Sequence, residues 1–161
     1  MAEGLERLGR SKYIPYIDVD NDKTFTSNSW ERVDKSTVGD LALGEVTEDF
    51  DFIDNDDTQT EVTGNKPTIS LEIANIDGNP VYDFMEGMVV DAPTGENAKV
   101  PFMYCFGGSE HKAWQGIASV TDKTVSPTDK KISFTLNVLE KTVGTYVIGQ
   151  DGKPTFTPDT P

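Results

Sequence analysis

A single cysteine, Cys105, and a single histidine, His111, stand in a chain of 161 residues. One cysteine excludes an internal disulfide. One cysteine and one histidine would leave a zinc site to be completed by carboxylates, a poor donor set for that metal. Basic residues are also scarce, 14 Lys and Arg against 28 Asp and Glu, for a net charge of −14. A chain so short of cations is badly equipped to hold nucleic acid by its phosphates, or to lie on an anionic membrane. No apolar run approaches the roughly 18 residues a membrane helix needs. Residues 1–12 mix charges with Leu5 and Leu8 and lack an apolar core segment, which argues against a secretory signal. The expectation is synthesis and folding in a cytoplasm, the cell's own or a host's. Catalytic signatures are missing too. Gly107-Gly108 leads to no phosphate-cradling lysine on a helix, and no nucleophile elbow occurs.

What is present is modest in apolar content, 35%, but clustered, and the length suits one domain with a real core. Tyr13-Ile14-Pro15-Tyr16-Ile17-Asp18-Val19 is rich in strand formers, with Pro15 pointing to an edge or a bulge. Residues 20–60 are polar and turn-rich, interrupted by Val38 to Leu43 and by Phe50, Phe52 and Ile53. A stretch that long is a functional extension or a long hairpin, with a turn within Gly39 to Gly44. Thr68 to Ile76 alternates Ile69, Leu71 and Ile73 with polar residues, the period of a half-buried strand. Asn79 and Pro80 then open a short helix, with Val81, Phe84, Met85 and Met88 forming one stripe to pack on a sheet and Gly87 weakening its end.

Further strands are expected at Ala98 to Phe106, broken by Pro101, and at Trp114 to Val120. Lys131 to Leu139 places Ile132, Phe134, Leu136 and Val138 on one face and Ser133, Thr135 and Asn137 on the other. Val143 to Ile148 and Lys153 to Thr157 flank the turn pair Asp151-Gly152. The expected fold is mainly β, a sandwich or barrel-like domain over residues 1–161. It carries one short helix on the sheet, a long extended loop, a flexible arm at 1–11 and a loose, proline-rich tail at 158–161.

Candidate chemistry is thin. Cys105 lies in an apolar strand, where a thiol is normally inert, so a pair with His111 is disfavoured. Asp18, Asp20 and Asp22 alternate as in a calcium loop, but Lys23 and Ser29 stand where that loop wants Gly and Glu. The Asp49, Asp51, Asp54, Asp56 and Asp57 cluster reads as a solvated acidic loop rather than a cation site. No catalytic, cofactor or metal residue is assigned, and the expected protein is not an enzyme. A polar strand face such as Ser133, Thr135 and Asn137 can line water. The apolar patch Phe50, Phe52 and Ile53 marks an interface, with the surrounding loop ordered by neighbouring subunits.

In this order the pieces resemble the major tail protein (tail tube protein) family of long-tailed, non-contractile bacteriophages of Gram-positive bacteria. The likeness runs over roughly residues 13–157. It rests on the Tyr13-Ile14-Pro15-Tyr16-Ile17 strand, the acidic extended middle and the Thr68 to Ile76 strand. It continues through Asn79-Pro80 opening a helix with Phe84 and Met85, then Val100-Pro101-Phe102, then Lys131 to Asn137 leading to a terminal hairpin. The resemblance implies a virion protein that assembles with itself into six-membered rings stacked as a tail tube, alongside other tail proteins. DNA would be ejected through the lumen without specific binding, and no membrane or cofactor would be involved. It further implies sheets joined between neighbours, a loop reaching adjacent rings and a helix over the sheet's outer face. Contractile-tail and secretion-system tubes share that design. The excess of acid would then keep DNA from adhering to the wall. The alternative is a surface or carbohydrate-binding β-sandwich using Trp30, Trp114 and the tyrosines. A glycosidase with two carboxylates across a cleft is a third reading.

Overall fold

The computed structural model describes residues 9, 12–25, 29–33, 36–51, 53 and 56–159. Apart from Gly9, the expected arm at 1–11 lies outside them. Among the described residues there are ten strands and one α-helix: β1 (Ile14–Asp18), β2 (Trp30–Arg32), β3 (Ser36–Ala42), β4 (Glu45–Phe50), β5 (Gln59–Asn65), β6 (Thr68–Ala74), α1 (Pro80–Asp91), β7 (Lys99–Cys105), β8 (Lys112–Ser126), β9 (Lys131–Ile148) and β10 (Pro154–Pro158). The main sheet runs β2-β1-β7-β8-β9-β6-β3, with β10 also on β9, while β4 and β5 pair only with each other. All of these pairings are antiparallel.

The centre of the architecture is β9, which is one long strand and not the two short ones its sequence suggests. Its pairing with β8 passes from Ala118↔Val138 to Ile117↔Glu140, so Leu139 is an extra residue. Because side chains alternate, one extra residue inverts which face each successive side chain meets. Ile132, Phe134 and Leu136 enter one core cluster before the bulge, and Tyr146 enters a second cluster after it. The sheet thereby buries both faces. On one, Ile17, Phe102, Tyr104 and Trp114 pack with Ile69, Leu71, Ile73 and the helix. On the other, Ile14, Tyr16, Met103, Cys105 and Ala113 pack with Trp30 and Tyr146, flanked by Phe25 and Phe156. Two long-range hydrogen bonds mark how the sheet folds over itself. The Tyr104 hydroxyl donates to the Gly39 carbonyl at 3.1 Å, and the Lys153 ammonium donates to the Trp30 carbonyl at 2.8 Å. The fold is a mainly β, sandwich or barrel-like domain with one α-helix among the described residues.

The helix begins where a helix should. The Asn79 side chain accepts from the Val81 and Tyr82 amides at 3.1 and 3.2 Å, and Pro80 occupies a position whose amide needs no partner. It runs past the expected end at about Met88 to Asp91, stopped by Ala92 in left-handed conformation, whose amide bonds the Met88 carbonyl. Val81, Met85 and Met88 are buried, whereas Phe84 is half-buried at the margin of the same cluster. Positions i, i+4 and i+7 face the sheet here, and i+3 falls on the flank. Met85→Ala should therefore cost more than Phe84→Ala. The first is expected at about 2–5 kcal/mol, and the second at roughly half of the 3–5 kcal/mol of a fully buried ring. Denaturant unfolding of both variants measures this, and the reverse order would make Phe84 the anchor.

Other local expectations are corrected by pairing. Pro15 lies one strand in from the edge, where the three-residue β2 ends: the Val33 amide donates to the Pro15 carbonyl at 2.9 Å. Pro101 does not break β7, since Lys99 to Cys105 pair continuously with β8. Gly39 sits inside β3 opposite Leu71, and the chain does not turn back within Gly39 to Gly44: Ala42↔Thr68 and Glu45↔Asn65 keep one register, so β3 and β4 form one arm of a long hairpin and β5 and β6 the other. The tail is not loose throughout. Thr157 and Pro158 pair with β9, and the Asp159 amide bonds Val143 at 3.0 Å while its carboxylate meets Lys112 at 3.0 Å.

Candidate assembly surface

The hairpin of β4 and β5 is where the chain spends its charge. Residues 45–65 hold eight carboxylates and no Lys or Arg, so more than half of the net charge of −14 sits in this segment. Every described residue of the hairpin is exposed except Phe50 and Gly64, which are half-buried. Glu48 faces Glu61 directly, a like-charge pair that opposes closure, and the Thr60 hydroxyl bonds the Asp49 carboxylate at 2.7 Å. A two-stranded ribbon without a packed face is marginal in water. This one nevertheless keeps apolar groups in solvent: Val46 and Val62 on its strands and, at its tip, Ile53, which is fully exposed. Its root is firm, because the Lys66 amide bonds the Gly44 carbonyl at 3.0 Å and Pro67 beyond it is buried. Of the three residues expected at an interface, Ile53 stands in solvent at the tip and Phe50 closes the ladder opposite Gln59. Phe52 lies outside the described residues, as does Asp54 of the acidic cluster.

A second surface lies on the outer face of β6, β9 and β8. Cross-strand register puts Ser70 beside Thr135, Thr68 beside Asn137, and Ser119 and Thr121 beside Asn137 and Thr135. The Asn137 amide donates to the Thr121 hydroxyl at 2.6 Å and the Ser119 carbonyl at 3.2 Å. The face is neutral hydroxyl and amide, with Asp40 opposite Ser70. Of its bordering cations, Lys131 pairs with Glu72 at 3.4 Å and Lys99 with Glu96 at 2.5 Å, while Lys123 of β8 donates to the Val120 carbonyl at 3.0 Å.

The candidate chemical groups do not assemble into a site. Cys105 is fully buried, and loss of solvation pushes its thiol up to about 12, so it holds no thiolate at neutral pH. His111 instead stacks edge-on against Tyr146, ring centres 5.5 Å apart. The aspartates at 18, 20 and 22 shape local turns. Asp18 accepts the Asp20 amide at 2.9 Å, Asp20 accepts the Ser29 hydroxyl, and Asp22 accepts the Thr24 amide at 3.0 Å. Among the described residues no group of three or more Asp, Glu, His or Cys could hold a metal ion. Both tryptophans are buried, and Trp114 is covered by the Lys141 ammonium at 4.3 Å and the Phe106 ring at 5.6 Å. Neither offers the open face a sugar would stack on.

Asp18 is the one charged residue buried among the described residues, and its second oxygen has no hydrogen-bond partner. Burial raises its carboxyl above the ordinary 3.8, with the nearby charges of Asp20 and Asp22 adding and the Asp20 amide opposing. The folded state therefore binds this proton more tightly than the unfolded chain. Its contribution is full below 3.8 and falls as pH rises through the folded value. Asp18→Asn removes the titration. Thermal melts across that range should show the variant matching or trailing wild type at low pH and gaining on it toward neutrality. A difference that is constant with pH would contradict the assignment.

No protein-family model matches the chain, and no curated protein does. The solved structures do offer likenesses. One is a chain from the tail of an empty GTA (gene transfer agent) particle, determined by helical refinement with C6 symmetry. It aligns with a TM-score of 0.56 at 14% identity, over 94% of this chain and 99% of that one. At that identity the likeness is one of fold, and it extends over nearly the whole of both chains: this protein has the fold of a chain found in a C6-symmetric tail.

Proposed function

We propose that the chain is a non-enzymatic structural subunit that associates with itself into stacked six-membered rings, forming the tube of a phage-type tail. The observation that carries this reading is the hairpin at 45–65: rigidly rooted, highly charged, tipped with Ile53 in solvent, and unsupported by its own domain. Such an element gains a packed face from a neighbour. The C6-symmetric tail in which a chain of the same fold is found supports the ring, and Phe50, Phe52 and Ile53 are the residues we place at the contact. The protein would reside in the virion tail beside other tail proteins. The narrower assignment, to long-tailed phages of Gram-positive bacteria, rests on the sequence resemblance.

DNA would be delivered through the lumen without being held. The hydroxyl face of β6, β9 and β8 suits an inner wall, because phosphates bind where free Lys and Arg await them, and Lys131 and Lys99 are already paired. On this reading eight of the 28 carboxylates serve the hairpin, and acid elsewhere that faces the lumen would keep phosphate from adhering to the wall.

Electron microscopy of the purified protein at rising concentration tests the proposal. Rings or tubes of sixfold symmetry are expected. A protein that remains monomeric throughout would refute it, and a tube map with unpaired cations on the inner wall would refute the account of the conduit.

A further inference from the structure

An open groove of about 580 Å³ lies beside the loop joining β7 to β8. Ile14, His111, Tyr146, Val147 and Ile148 contribute to its walls, and Lys12 stands at its margin. Val147 and Ile148 end β9 with 70% and 39% of their surface in water. Gly107 lets the chain pass close there: a β-carbon on it would stand 2.9 Å from that of Lys12 and 3.0 Å from the Tyr13 ring. In a protein with twice as many acids as bases, the described residues of this lining include Lys12 and no carboxylate.

We propose that this groove is the socket for the β4–β5 hairpin tip of a second copy of the chain. The inference rests on the self-assembly reading and names the surface that the hairpin meets. Tip and groove are complementary in two independent respects. The tip presents exposed apolar side chains, Ile53 foremost, and the groove presents exposed apolar walls. The tip is acidic, with Asp51 and Asp56 exposed on either side of Ile53, and the described lining of the groove carries Lys12 and no carboxylate. No described residue of the chain's own hairpin lines the groove, which leaves it open to another subunit. Because socket and tip are different surfaces of one molecule, the contact is head-to-tail. It repeats from copy to copy, as growth of a ring or a stack requires.

The test is a cysteine pair, Ile53→Cys with Val147→Cys, in the full chain under assembly conditions with a mild copper-phenanthroline oxidant. Cys105 will not compete, being buried with its thiol pushed up to about 12. The double variant should give a ladder of covalently joined chains on a non-reducing gel, and neither single variant should. A fast-migrating monomer would place the chain's own tip in the groove and overturn the proposal. Tubes that form without a ladder would overturn it while leaving the tube intact. A charge swap tests the same contact without cysteines. Lys12→Glu should raise the concentration needed for assembly by roughly tenfold, and adding Asp51→Lys should recover much of the loss. If wild type assembles and Lys12→Glu assembles equally well, the socket is refuted. If wild type never assembles, the reading beneath it falls as well.

Discussion

A chain in which residues 45–65 are replaced by a two-residue Asn-Gly turn is expected to fold as a stable monomer and to form neither rings nor tubes. The domain should lose little. The described hairpin residues are exposed or half-buried, and they belong to neither core cluster. The cut ends already meet, since the Lys66 amide donates to the Gly44 carbonyl at 3.0 Å, and a short loop costs less closure entropy than a long one. Eight carboxylates leave with the segment, taking the net charge from −14 to −6 and easing self-repulsion in the monomer. Thermal melting should therefore stay within a few degrees of wild type, given that about 1 kcal/mol moves a domain of this size by roughly 2–4 °C. Assembly, in contrast, should be lost completely, because the element proposed to join copies is gone. Calorimetry and sedimentation of the same sample separate the two. Unfolding of the variant would show that the hairpin supports the core, and tubes of normal length would show that assembly runs through other surfaces.

Gly116→Ala should do the opposite, damaging the fold while touching no exposed surface. A β-carbon on Gly116 would lie 1.9 Å from the Glu140 carbonyl oxygen and 2.8 Å from the Lys141 α-carbon. Those are backbone atoms, so no rotamer change relieves the clash. They also flank the Leu139 bulge, where β9 changes which core cluster its side chains enter. Moving β9 outward there would loosen both clusters, and a loss of about 3 kcal/mol or more is expected, at the upper end of overpacking effects. Gly87→Ala is the internal control. Gly87 is exposed in α1 with nothing within 4 Å of an added β-carbon, so the change should stabilise by about 0.5–1 kcal/mol. Equal stability of Gly116→Ala and wild type would contradict the close approach of β8 and β9.

The two surfaces behind the functional proposal differ in how far the sequence reveals them. The hydroxyl face was legible, because Ser133, Thr135 and Asn137 alternate with Ile132, Phe134 and Leu136 and alternation is a local property. The groove was not. Its walls come from β1, the β7–β8 loop and the end of β9, brought together only by the sheet. Lys12 also gives no sign in the sequence that it will be a cation standing in a lining whose described residues include no acid.

For the same reason, certain elements are determined by the sequence alone. The Asn79-Pro80 start of the helix needs only the first turn's amides. The strand at β6 follows from its own period, and the β9–β10 hairpin from the turn pair Asp151-Gly152. The net charge and its crowding into residues 45–65 are likewise read directly from the chain. Tertiary structure decided the rest. It made one strand of β9 by inserting Leu139 opposite the step from Ile117 to Ala118, an inversion that splits the apolar pattern into what look like two strands. It extended α1 past Met88, put Phe84 on the flank, and drew Thr157 and Pro158 into the sheet, because packing and pairing partners there outweigh local preference. It also left the β4–β5 hairpin outside both cores, since the register that joins β3 to β6 runs on through Glu45↔Asn65 while the pairing of β6 with β9 stops at Thr68↔Asn137, so the hairpin extends beyond the main sheet.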